Sequence, residues 1–176
     1  MAKIDKQCKG IVLIGYLNYI KKKWGIEGMA ECERTVKFER KGISDDKWYP
    51  ADKMENVLKW IYDTKGPDAT FQAGFSITSE VGMVSYAARI LGIKKVTERG
   101  VEETRKNMNY GDMTLEHHEK GCTVKFNNQC DHKSMCLALQ GILSGLYKIT
   151  NTKGTVTETK CGIKNGEHCV YEMKWE

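Results

Sequence analysis

Apolar residues recur at helical spacing through the first hundred positions and then change to alternation, and that change of period divides the chain. Over residues 11–24, Leu13, Tyr16, Leu17, Ile20 and Trp24 fall on one face of a 3.6-residue repeat, which Gly25 is placed to end. Residues 26–38 continue with Met29, Val36 and Phe38 among charges, a second helix. After a polar link at 42–47, Trp48-Tyr49-Pro50-Ala51-Asp52 opens a further helix. Proline suits the first helical turn, and Asp52 suits the positive end of the helix dipole. Met54, Val57, Leu58, Ile61 and Tyr62 form its buried face. Gly66-Pro67-Asp68 starts another helix through Phe71 and Phe75 toward Ile77. Residues 79–91 follow as a helix with Gly92 as its cap, and 94–108 read as a charged, exposed helix with only Val96, Val101 and Met108 apolar.

Beyond Gly111 the period falls to two. Met113, Leu115 and His117 alternate with Thr114, Glu116 and His118; Glu119-Lys120-Gly121 turns; Cys122, Val124 and Phe126 alternate in the partner strand. Residues 131–147 return to helical spacing, with Met135, Leu139, Ile142 and Leu146 on one stripe and Cys136, Leu143 and Tyr147 beside it. Gly141 and Gly145, one turn apart, lower helix propensity and imply a close-packed neighbour. Two last strands, 155–161 and 168–175, flank Asn165-Gly166, a tight hairpin signal, and Cys169, Tyr171, Met173 and Trp175 share one face. The predicted architecture is an α+β fold: N-terminal helices packed on a mainly antiparallel four-stranded sheet, ordered strand-strand-helix-strand-strand at the C-terminus. It is expected to be a single domain over 1–176, helical over 1–110, with the sheet and its helix over 111–176.

Composition narrows the function classes. With 176 residues and 40% hydrophobic content, the chain can bury one proper core. Its net charge of +5 is spread out, and the longest basic runs, Lys21-Lys22-Lys23 and Lys94-Lys95, are too short for a phosphate-tracking stripe. No nucleic-acid partner is expected. The apolar run at 11–20 is about ten residues long and contains Asn18, too short for a membrane span or a cleavable leader. A cytoplasmic location without membrane insertion is the expectation. Seven cysteines in a reducing compartment point to metal or redox chemistry rather than a disulfide frame.

The sharpest chemistry lies at the end of the chain. A turn at 162–167 brings Cys161 and Cys169 together, Glu158 lies three residues upstream, and Cys136 sits on the preceding helix. Three thiols and a carboxylate suit a closed, structural zinc site. Spacing leaves a second reading open, in which Cys136 and Cys169 are small buried hydrophobes, Cys161 ends a strand and Glu158 is solvated. Parity adds a condition: Glu158 and Cys161 face opposite sides of a regular strand, so the strand must twist or bulge. His168 reads first as an exposed turn residue and only second as a substitute ligand for Glu158, while His117 and His118 point to opposite faces. Cys122 and Cys130 read as core and loop residues. Tyr86, Tyr110, Phe126, Tyr147 and Trp175 are candidates to line an apolar pocket. No Ser-His-Asp array, phosphate loop or dinucleotide fingerprint appears in the sequence.

Cys161, Gly166, Cys169 and the aromatic closing strand (Val170, Tyr171, Met173, Trp175), with Glu158 three residues before the first thiol and Cys136 on the preceding helix, resemble the C-terminal signature of the 4-vinyl reductase family. The match covers about the last seventy residues. The stretch from Trp48-Tyr49-Pro50 to Asn109-Tyr110-Gly111 resembles more loosely a prokaryotic family of the same superfamily, the nitric-oxide-signalling and Golgi-transport ligand-binding domains. The resemblance implies an α/β sandwich, commonly a homodimer, with a cavity for a small hydrophobic or aromatic molecule and zinc held by Cys136, Glu158, Cys161 and Cys169. The expected function is therefore a ligand-binding, sensor-type domain with a structural zinc, leaning away from an enzyme. Two alternatives stand beside it: a role in reducing a tetrapyrrole vinyl group, and a thiol switch at Cys161 and Cys169. Gly82, Ser85 and Ala88 form a small-residue edge suited to a dimer contact.

Overall fold

The computed structural model describes residues 5–80, 87–127, 131–165 and 168–176, those of 79–80, 87–90 and 164–165 by their backbone only. The elements run β1 (Gln7–Lys9), α1 (Gly10–Val36), β2 (Trp48–Pro50), α2 (Ala51–Lys65), α3 (Pro67–Glu80), α4 (Ala87–Asn107), β3 (Asp112–His118), β4 (Gly121–Asn127), α5 (Lys133–Thr150), β5 (Gly154–Lys160), α6 (Gly162–Asn165) and β6 (Cys169–Trp175). The main sheet has the order β3-β4-β6-β5 and is antiparallel throughout. Helices over an antiparallel four-stranded sheet are the α+β arrangement that the change of period predicts. No helix among the described residues is long and apolar enough to cross a membrane.

The two glycines expected to interrupt helices do so. Gly25 has φ 69° and Gly92 has φ 72°, left-handed values that break α1 and α4 within their length. Three expectations are corrected. The helix expected at Pro50 begins at Ala51, because Trp48–Pro50 pairs with Gln7–Lys9 in a two-stranded ribbon too short to carry a period. Between β5 and β6 the chain forms a single helical turn, α6, that was not expected; Gly166 of the expected Asn165-Gly166 turn lies outside the described residues. The 94–108 stretch is not simply an exposed helix: Val96, Thr97 and Val101 are buried where α4 lies against the core.

One face of the sheet carries Met113, Cys122, Val124, Phe126, Cys169, Tyr171 and Met173, all buried. Register sets Cys122 opposite Met173, Val124 opposite Tyr171 and Phe126 opposite Cys169. Helix α5 packs on α3 with almost no side chain between the backbones. A Cβ at Gly74 would strike the carbonyl of Ala138, and one at Gly141 the carbonyl of Phe71. Close approach explains why a helix with a strong apolar stripe carries glycine at 141 and 145. The Thr78 hydroxyl straddles the same seam, donating to Ile142 O at 3.1 Å.

Candidate functional site

Where the helices meet the sheet they leave a cavity of about 120 Å³. Its walls include Val12 and Tyr16 of α1, Met54 of α2, Val101 of α4, Phe126 of β4 and Leu139 of α5. Voids above the size of a water molecule are few in a close-packed domain, and an apolar one of roughly 150 Å³ can host a benzene-sized molecule. The polar groups in the wall are largely occupied. Thr78 donates its hydroxyl hydrogen to Ile142 O, Thr97 donates to Ile93 O at 2.8 Å, and Thr104 donates to Gly100 O at 2.9 Å. Burial pushes the Tyr16 phenol well above its ordinary range, with the neighbouring Cys8 adding to it, so its proton stays in place at neutral pH.

Of the aromatic residues proposed for a pocket, Phe126 lines this cavity. Tyr110 and Tyr147 are not among its lining residues, and Trp175 borders a separate surface groove with Glu172 and Lys174. The hydroxyl of Tyr147 donates to Thr155 O at 3.1 Å and Lys174 O at 3.0 Å, which places it as a tie between α5 and the sheet. Tyr86 lies outside the described residues. The lining residues that sequence reasoning missed come from six elements, with Met108 just past the end of α4. Their signal was the methionines and threonines on otherwise regular apolar stripes, an ordinary core pattern until the elements are assembled.

At the far edge of the sheet, Cys136, Glu158, Cys161 and Cys169 come together, with one ligand atom from each within 4.8 Å of the others. The Sγ of Cys136 lies 3.6 Å from that of Cys169 and 3.9 Å from that of Cys161. The local fold explains the convergence. A register shift between Glu158 and Lys160 is the bulge that parity requires, turning Glu158 and Cys161 to one side. The Tyr171 hydroxyl donates to Cys136 O at 3.1 Å and fixes the start of α5, while the Gly162 N–H donates to Cys169 Sγ at 3.3 Å. Lys133 Nζ donates to Glu158 Oε2 at 3.2 Å, and the other carboxylate oxygen is buried without a partner among the described residues. Lys133 is raised above its usual range chiefly by that hydrogen bond, against desolvation. Cys8 and Cys32, by contrast, are pushed to about 12 and Cys122 to about 11 by burial, and behave as small hydrophobes. His117 bonds Glu98 and His118 bonds Thr123, on opposite faces of β3, while His132 caps α5 beside Ser134. Cys130 lies outside the described residues, as do Gly82 and Ser85 of the proposed dimer edge; Ala88 is described by its backbone only.

No protein-family model matches the chain, and no curated protein sequence matches it significantly. Solved structures do. A structure from a study of heme distortion in the H-NOX family superposes with a TM-score of 0.74 at 13% identity, covering 96% of this chain and 95% of that one. The Fe(II)NO state of an H-NOX protein from S. oneidensis gives 0.72 at 11% identity, covering 96% and 99%. A structure concerned with the mechanism of H-NOX activation gives 0.71 at 14%, covering 96% of each. The chain therefore has the fold of H-NOX domains. Membership of the 4-vinyl reductase family is not shown.

The neighbours overturn the expectation that zinc is the resident cofactor of this fold, since heme is the cofactor that their descriptions name. Heme was tested against the residues present. Its iron takes an axial histidine, cysteine, tyrosine or a methionine–histidine pair. Among the described residues the lining includes no histidine or cysteine, and no lysine or arginine to meet the propionates. Tyr16, Met54, Met108, Met113 and Met135 offer a phenol and four thioethers, but the volume is close to that of a single small ring and far below that of a porphyrin. This cavity does not fit heme, and no chemistry is derived through it.

Proposed function

We propose that the chain is a binding domain for a small, apolar molecule held in the cavity between the helices and the sheet, in a sensing rather than a catalytic role. The carrying observation is the cavity itself. At about 24 cal/mol per Å³, an empty void of 120 Å³ forfeits about 3 kcal/mol of stability, which an apolar guest of matching size recovers. The fold supports a sensing role, because the H-NOX structures of the same fold include work on activation. Reduction of a tetrapyrrole vinyl group gains no support, for a tetrapyrrole exceeds the space available. Benzene titration tests the proposal. Near saturation the wild type should melt several degrees higher, since occupancy at a hundred times Kd stabilises by about 2.7 kcal/mol. Val101→Phe, which fills the wall, should abolish the response. A wild-type melting point that benzene does not move sinks the proposal.

A second reading is favoured by the sulfur cluster, and we propose Cys136, Glu158, Cys161 and Cys169 as ligands for a thiophilic cation. Three thiols meet one carboxylate whose free oxygen is buried without a partner, an arrangement costly to leave uncompensated. Elemental analysis of the purified protein beside Cys161→Ser decides the matter and names the element. Stoichiometric metal lost in the variant supports the site; metal-free wild type, or metal retained by the variant, removes it.

A further inference from the structure

Four tyrosines among the described residues are buried: Tyr16, Tyr19, Tyr147 and Tyr171. Three of them donate their hydroxyl to a backbone carbonyl. Tyr19 reaches Ala69 O at 3.1 Å, Tyr147 reaches Thr155 O and Lys174 O, and Tyr171 reaches Cys136 O. Tyr16 is the exception: 3% exposed, on the cavity wall, it makes no hydrogen bond among the described residues. Buried phenols are normally partnered, and an orphan donor at a cavity wall calls for an acceptor from outside the chain. The remaining wall restricts what that acceptor can be. The threonine hydroxyl hydrogens are committed to carbonyls, and the charged lining residue, Glu103, is paired with Lys106 at 2.7 Å. Among the described residues, nothing in the lining would neutralise an anion.

We infer that the cavity takes a neutral molecule whose apolar body carries a single acceptor oxygen, a carbonyl or ether, that receives the hydroxyl hydrogen of Tyr16. This rests on the cavity reading proposed above. The ligand class is thus set by the buried Tyr16 hydroxyl in a mainly apolar wall, where the other polar side chain not committed to a protein partner is the half-buried Asn107 amide: a small ketone, aldehyde or ether is accepted, while carboxylates and polyols are rejected by desolvation without compensation.

The test uses two ligands of one shape, cyclopentanone and methylenecyclopentane, titrated calorimetrically against the full chain, Tyr16→Phe and Thr97→Val, with benzene as reference. Comparing each ligand across variants cancels its own transfer from water. Tyr16→Phe should weaken cyclopentanone roughly two- to tenfold, the range of one hydrogen bond, and leave methylenecyclopentane within about twofold. Thr97→Val should leave the ratio of the two unchanged, because that hydroxyl is already used. Retained hydrocarbon binding by Tyr16→Phe serves as the check that the variant folds. Equal effects on both ligands, or none, overturn the inference, as does benzene binding without detectable cyclopentanone binding. Wild type that binds none of the three, benzene included, fells the cavity reading and this inference with it.

Discussion

Replacing Gly141 by alanine should destabilise the protein even though alanine is the better helix former. In isolation the exchange gains about 1 kcal/mol of helix propensity. At this position the added Cβ points at the carbonyl of Phe71 and comes to 2.8 Å from Phe75 N and 3.0 Å from Phe71 C. All three obstacles are backbone atoms of α3, so no side chain can rotate away. Helices α3 and α5 must separate, and overpacking of that kind costs about 1–3 kcal/mol, at the upper end where backbone is the obstacle. The net loss is therefore about 1–2 kcal/mol, or roughly 2–8 °C in melting temperature for a chain of this size. Gly100→Ala supplies the opposite sign. Gly100 lies within α4, and its nearest obstacle is Leu146 Cδ1 at 3.9 Å, ordinary van der Waals contact. There the propensity gain survives, and stability should rise by about 0.5–1 kcal/mol. Urea unfolding followed by circular dichroism reads both. Gly141→Ala as stable as the wild type, at unchanged denaturant slope, would refute the close α3–α5 approach on which the shape of the cavity wall depends.

Two further outcomes follow from the buried titratable groups. Burial raises the Glu55 carboxyl above its ordinary value of 4.5, opposed by Lys6 and by a hydrogen bond from Tyr110. The folded state thus holds this proton more tightly than the unfolded one, so the destabilising contribution is absent below pH 4.5 and grows as pH rises through the folded value. Glu55→Gln should be more stable than wild type at pH 7, with the gap closing toward pH 4; a gap that stays constant with pH contradicts this. Native-state alkylation with iodoacetamide at pH 8, read by peptide mass spectrometry, should modify Cys161 well before Cys8, Cys32 and Cys122, because those three are buried and raised to about 11–12. Equal labelling would show that those cores open readily.

The switch of period near residue 112 located the sheet, and side-chain parity alone demanded the β5 bulge, because both signals are local consequences of backbone geometry. Gly25 and Gly92 were readable for the same reason. The β1–β2 ribbon was not, since three residues carry no period and pairing across 38 intervening positions is a tertiary event. Nor was α6, a single turn of four residues that is too short to carry a helical period. Converging thiols could be anticipated because they sit on neighbouring elements. The cavity could not, as its wall is assembled from seven elements that lie far apart in sequence. Aromatic size was a poor guide there: Tyr147 is spent on strand carbonyls, and the residues that matter are Tyr16, the methionines and Val101.

A shared fold at 10–14% identity leaves nearly every side chain free to differ, and the ligand is set by side chains rather than by the path of the backbone. In this chain the apolar stripe of α5 supplies Met135, Leu139, Ile142 and Leu143 to the cavity, while Cys136, the next residue after Met135, turns to the sulfur cluster. One helix thus forms a wall of both places, and glycines at 141 and 145 hold it hard against α3. A molecule of a few heavy atoms need displace nothing. Backbone contact between α3 and α5 therefore fixes one wall of the cavity, whatever molecule it holds.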